Sequence, residues 1–338
     1  MTTPQEAPHF TREWLIGALR YVRGDFEAAL SGEAEDGRAR SRMEMARRMG
    51  LDAIAEEIID ALDRGAEDAA RLEWPGGLEV RYLALLGALK TLAGASSALN
   101  EHADDRPHLT YLAEAMAKAE LAAGSARRRR EAERFQGLYV IVDPELTNGR
   151  DPRWVAAEAI RGGATAIQLR VKSVDKGEWL PLAGDIRDAC ADGGAAFVVN
   201  DHPDVAVAVG ATGAHLGQRD LPLAKAREVL RPWQIAGTSN ALLAEAVASY
   251  EGGADYIAVG RMFPTGSKSD TRPAGPETLR AVREALPVGG PPILAIGGIT
   301  PENASEVVRA GADCLCVIAA VTQAPDPREA AERLLAAF

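Results

Sequence analysis

Cysteine is scarce in this chain of 338 residues, occurring only as Cys190, Cys314 and Cys316. Three scattered thiols cannot build a disulfide framework, so the sequence reads as one suited to a reducing cytoplasm. Cys314 and Cys316 stand inside an apolar run and read as core residues on alternate faces of a strand, not as a metal site. Long hydrophobic runs are missing too, and no uninterrupted apolar segment is long enough to span a bilayer. The opening MTTPQEAPHF lacks a basic-then-apolar pattern, so no signal peptide is expected. Positive charge is in deficit, with a net charge of −11, which argues against a nucleic-acid partner. It leaves anionic substrates open, because local cations and metal ions decide that. Also absent are a G-x-G-x-x-G opening a strand–helix unit and a Ser/His/Asp arrangement for nucleophilic catalysis.

What is present divides near Phe135. Residues 1–134 have a helical pattern almost throughout and predict an all-α bundle. Leu15, Leu19, Val22 and Phe26 recur at helical spacing, as do Ile54, Ile58, Ile59 and Leu62. Pro75-Gly76-Gly77 and Asp104–Pro107 break the pattern. The run Arg127–Arg130 reads as the solvated, dipole-compatible end of a connecting helix. It does not read as a nucleic-acid patch, since residues 1–136 carry 19 Lys/Arg against 24 Asp/Glu. The bundle shows no phosphate loop and no acid/base pair. A kinase role, docking, dimerisation and regulation all remain open for it, and a homo-oligomer is compatible with the sequence.

Residues 135–338 alternate strand and helix. Strands are predicted at Leu138–Asp143, Ala164–Arg170, Ala195–Asn200, Ala214–Leu216, Gln234–Gly237, Asp255–Gly260, Pro292–Ile296 and Asp313–Ile318, with a helix after each. Eight such repeats predict an α/β fold of the (β/α)8 TIM-barrel type. The recurring Gly-Ala before strands (Gly163, Gly213, Gly253, Gly311) fits left-handed caps on the outer helices.

A barrel places functional groups just past its strands. Gln168, Arg170 and Lys172 follow the second strand with a period of two, aiming an amide and two cations one way. Asn200-Asp201 ends the third strand and Asp220 follows the fourth. Each aspartate has a plain explanation as a cap for the next helix. Together, and beside the two cations, they fit Mg2+ held by carboxylates and substrate phosphates. Thr265, Gly266, Ser267 and Lys268 after the sixth strand suit an anion, as does Gly297-Gly298 after the seventh.

The segments YVIVD (Tyr139–Asp143), QLRVK (Gln168–Lys172), Asn200-Asp201, GAHLGQRDLP (Gly213–Pro222), DYIAVGRMFPTGSKSD (Asp255–Asp270), IGGI (Ile296–Ile299) with Asn303, and GADCLCVIAAV (Gly311–Val321) resemble the thiamine-phosphate synthase family. They come in that family's order and cover the chain from about Gly137 onward. The resemblance implies a barrel that joins hydroxymethylpyrimidine diphosphate to thiazole phosphate and releases diphosphate, both substrates being small molecules. It implies that Asp201 and Asp220 ligate Mg2+, and that Arg170, Lys172, Asn200 and Lys268 contact the diphosphate. Gln168 and Ser239 fall near the pyrimidine; Thr265, Ser267, Gly298, Ile318 and Ala319 fall at the thiazole phosphate. In this family diphosphate leaves first and a pyrimidine carbocation is captured by the thiazole nitrogen.

Some positions depart from the family pattern. Ala241 stands where a histidine is usual, Ser267 where threonine is frequent, Ala319 where serine is, and Arg261-Met262 where smaller apolar residues are. These bear on affinity more than on reaction type. Two rival readings are a thiazole tautomerase, which needs a proton-transfer base, and a ligand-sensing barrel with the helical region as its output.

Overall fold

All eight strands are buried along all or nearly all of their length. Such strands, covered on both faces, are built from unbroken apolar runs, not from alternation. They are β1 Gly137–Val142, β2 Ala166–Leu169, β3 Ala196–Asn200, β4 Gly213–Leu216, β5 Ile235–Asn240, β6 Tyr256–Gly260, β7 Ile293–Ile296 and β8 Cys314–Val317. This computed structural model describes residues 121, 124–125, 127–264 and 272–338. The helices expected before residue 121, and the loop residues Thr265, Ser267 and Lys268, lie outside the described residues. A compact unit spans Gly124–Phe338.

All neighbouring strands pair in parallel, and β8 pairs with β1, so the sheet closes into a barrel in the order β1 to β8. The crossover helices are α1 Pro152–Arg161, α2 Lys176–Asp192, α3 Pro203–Ala208, α4 Leu223–Val229, α5 Leu243–Glu251, α6 Gly275–Ala285 and α7 Ala304–Arg309. After β8 come a single turn, α8 Ala319–Thr322, and α9 Pro327–Leu335. The fold is therefore the (β/α)8 barrel that the strand–helix alternation predicts.

Period-two alternation sorts each strand into two apolar clusters. Leu138, Val140 and Val142 of β1 face outward to the helices, with Leu315 and Val317 of β8. Tyr139 and Ile141 point into the barrel with Ala166, Val198, Tyr256, Leu294, Cys314 and Cys316. Cys314 and Cys316, being two apart, share this inner face; the alternate-face expectation is corrected. Phe135 fills the N-terminal end of the barrel. It stacks on Tyr256 at 4.5 Å between ring centroids and meets Tyr139 edge-on at 5.5 Å.

The even strands are fastened where they begin. Thr212 accepts from the Phe197 N–H at 3.0 Å, Asp255 from the N–H of Ala236, the second residue of β5, at 2.8 Å, and Asp313 from that of Ile293, the first residue of β7, at 2.8 Å. Asp255 also pairs with Arg227 of α4 and with Arg128, and Asp313 pairs with Arg283 of α6. Left-handed glycines precede these strands at Gly163, Gly253 and Gly311. Gly213 does not act this way. It lies inside β4, where a side chain would overlap Ile235 of β5, and the left-handed residue of that connection is Gly210.

Candidate active site

Asp143 ends β1 and is 2% exposed. Its carboxylate accepts from the Glu145 N–H at 3.0 Å and pairs with Arg170, just past β2. Lys172 pairs in turn with Asp201, past β3. The two cations that the sequence aims at the mouth are thus each held by a carboxylate. Asp143 had no assigned role in the sequence reading. The Nε of Arg170 is buried with no acceptor among the described residues.

Asp201 has φ of 62°, a left-handed conformation that aspartate tolerates better than most residues. Its own N–H donates to the carbonyl of His215 at 2.8 Å, which holds the kink between β3 and β4. It caps no helix, because the residue before α3 is His202, without a side-chain cap bond. Asp220 does not cap α4 either, since Pro222 stands there. Asp220 instead reaches back to accept from the Gly217 N–H at 2.7 Å, closing the turn after β4. The helix-cap explanation therefore fails for both aspartates.

The two carboxyls share a hydrogen bond and influence one another. Burial alone would raise Asp201, but the hydrogen bond from Asp220 and the Lys172 ammonium outweigh it and hold Asp201 below the usual range. Asp220 moves the other way, raised by burial and by the Asp201 carboxylate. Two neighbouring carboxyls whose titrations oppose one another are the kind of oxygen donors that a divalent cation takes. Among the described residues no three candidate ligand side chains cluster. Two carboxylates, completed by water and by substrate phosphate oxygens, are the usual protein share for Mg2+.

Deeper in the barrel, Gln168 is 1% exposed and its Nε2 donates to the Tyr139 hydroxyl at 2.7 Å. The Tyr139 and Tyr256 hydroxyls lie 3.2 Å apart, Tyr256 is 3.0 Å from His215 Nδ1, and His215 Nε2 is 2.7 Å from Ser239 Oγ. Asn200 ends β3 buried, in register with His215. Burial pushes both tyrosines well above their ordinary range, so they remain neutral hydroxyls. Tyr139, Tyr256 and His215 carry no assignment from sequence; their signal was the inward parity of β1, β6 and β4.

On the opposite side of the mouth a cavity of about 450 Å³ is lined by Ser239, Gly260, Gly297, Gly298, Ile318 and Ala319. Gly298 has φ of 67°, and a side chain there would meet the Pro264 carbonyl at 2.6 Å. Asn303 clamps this loop: its Oδ1 accepts from Thr300 N–H at 2.8 Å and its Nδ2 donates to the Gly298 carbonyl at 2.9 Å. Of the sequence-nominated residues, Gln168, Arg170, Lys172, Asn200, Asp201, Asp220 and Ser239 lie at the C-terminal ends of β2 to β5. Gly298, Ile318 and Ala319 line the cavity beside them.

These features define a (β/α)8 barrel whose mouth carries paired cations and carboxylates. The profile of the family described as thiamine monophosphate synthase matches residues 138–321. The thiamine-phosphate synthase of Moorella thermoacetica is 47% identical over 198 residues, covering 58% of this chain and 93% of that protein. That of Shouchella clausii is 45% identical over 202 residues, covering 60% and 95%. The solved structure of the thiamine phosphate pyrophosphorylase from Pyrococcus furiosus superposes with a TM-score of 0.56 at 39% identity, covering 61% of this chain and 96% of that one. The chain belongs to the thiamine monophosphate synthase family.

Proposed function

We propose that the barrel is a thiamine-phosphate synthase, joining hydroxymethylpyrimidine diphosphate to a thiazole phosphate and releasing diphosphate. The observation that carries the reading is the facing pair Asp201 and Asp220, with Lys172 on Asp201 and Arg170 set alongside, in a chain 47% identical to a synthase over the barrel. Asp201 and Asp220 would hold Mg2+, which when bound would neutralise charge on the departing diphosphate.

The protein's own groups bind, orient and exclude water. Lys172 and Arg170 face the leaving group, and Arg170 arrives pre-aimed because Asp143 holds it. Asn200 and Lys268 add contacts to the diphosphate. Gln168 and Ser239 position the pyrimidine. Gly298, Ile318, Ala319, Thr265 and Ser267 hold the thiazole phosphate, with backbone N–H groups free at the start of α8. The methylene C–O bond breaks with both electrons leaving on the diphosphate oxygen. The resulting pyrimidine carbocation is captured by the thiazole nitrogen lone pair, which forms the C–N bond. No protein nucleophile or base takes part, so the work of the site is electrostatic and positional.

The test is product formation by the full-length protein with both substrates and Mg2+, alongside Asp201→Ala. Thiamine phosphate that depends on Mg2+ and vanishes in the variant supports the reading. Both substrates bound without product would move the ligand-sensing reading into its place.

A further inference from the structure

The buried chain Gln168–Tyr139–Tyr256–His215–Ser239 runs across the barrel from β2 to β5, and proton counting gives it a direction. Gln168 Nε2 donates to Tyr139, which leaves Gln168 Oε1 buried with no partner among the described residues. The Tyr139 hydroxyl already accepts, so its proton goes to Tyr256. The Tyr256 proton then goes to His215 Nδ1, and His215 carries its own proton on Nε2, facing Ser239 Oγ. Ser239 accepts that proton and keeps its own hydroxyl hydrogen for a ligand. A neutral hydroxyl has one proton to give, so reversing the tyrosine–tyrosine link would leave the Tyr139 proton without a partner and would reverse the histidine and serine links after it.

We propose that His215 is a positioning residue. Backed by Tyr139 and Tyr256, it sets Ser239 as a hydrogen-bond donor and leaves the Gln168 carbonyl as an acceptor. The barrel floor then recognises an amino-substituted heterocycle through one donor and one acceptor. The chemistry matches an exocyclic amine directed at Gln168 and a ring nitrogen directed at Ser239.

The packing keeps the relay from rearranging. Phe135 stacks on Tyr256, which also lies parallel to the His215 ring at 5.7 Å. The Tyr256 ring occupies the space above Gly237, where any Cβ would overlap it. Swinging one hydroxyl away would leave a buried polar group unmet.

The inference rests on the synthase reading and deepens it. Two readouts test it. Imidazole nitrogen chemical shifts of isotopically labelled protein, assigned with His215→Asn, are expected to show the neutral Nε2–H tautomer. Calorimetric titration is expected to show hydroxymethylpyrimidine, with its amino group, binding at least about tenfold tighter than its oxo counterpart. Tyr256→Phe keeps the ring but cuts the relay. It is expected to shift the tautomer and lower the amino-over-oxo preference about tenfold. Tyr139→Phe, one link further back, serves as the second variant.

An Nδ1–H tautomer in the native protein overturns the proposal. So does an unchanged preference in both folded phenylalanine variants. Thiamine phosphate production alongside either result leaves the synthase reading standing and removes only the relay. Failure to bind either pyrimidine, with no product formed, removes both.

Discussion

Asp143 and Arg170 form an ion pair whose side chains are 2% and 15% exposed. Removing one partner of a buried pair strands the other charge. Asp143→Asn should therefore lower unfolding free energy by roughly 3 kcal/mol in denaturant titration, and kcat/KM by about tenfold or more as Arg170 loses its aim. Native stability with unaltered kinetics would show that Arg170 needs no anchor. The cysteines give a second test. All three are buried, and burial pushes the Cys190 thiol up to about 12. Because the thiolate is the reactive form, a thiol reagent at neutral pH is expected to modify none of them in the native state and all three after denaturation. At this scale the sequence was legible wherever a polar residue interrupted an apolar strand end, as with Gln168 and Asn200. It was silent on His215 and the tyrosines. A single inward histidine looks like a core residue until its partners, 24 and 41 positions away, are brought to it.

Whole strands were easier to see than their ends. The short apolar runs located all eight, because burial on both faces leaves little room for polar residues. The fifth, however, continues through Ser239 and Asn240, paired with Ala258 and Val259 of β6, where the sequence seemed to stop at Gly237. Of its last residues Ser239 faces inward to His215, while Asn240 faces outward, bonded to Thr238 and to Ser249 of α5. The seventh helix starts only at Ala304, because Asn303 is engaged in holding the glycine loop. Asn303→Ala should keep the fold and raise KM for thiazole phosphate about tenfold, with kcat for the pyrimidine half little changed, read from steady-state kinetics. Gly237→Ala meets the Tyr256 ring. Overpacking of that kind should lower stability by about 1–3 kcal/mol in thermal or denaturant unfolding.

At the scale of the molecule, the described end of the connecting helix belongs with the barrel. Arg128 bridges Asp255 and donates to the Pro232 carbonyl. A protein shortened to begin at Gly124 is expected to retain the activity of the full chain, whereas one shortened to begin at Phe135 should unfold at lower temperature for want of Arg128. Loss of activity in the first, while folded, would mean that residues before Gly124 contribute to the chemistry. Sequence alone put the change of pattern near Phe135, because a helix that ends one region and a helix that props the next look the same in composition.

Phe135 has a further consequence, since with Tyr139 and Tyr256 it stoppers the barrel at the end away from the mouth. The site is a cul-de-sac, and traffic through it is one-way in and the same way out. If the proposed synthase reaction runs here, diphosphate and thiamine phosphate would both have to leave through that one mouth, and each would compete with the other for it.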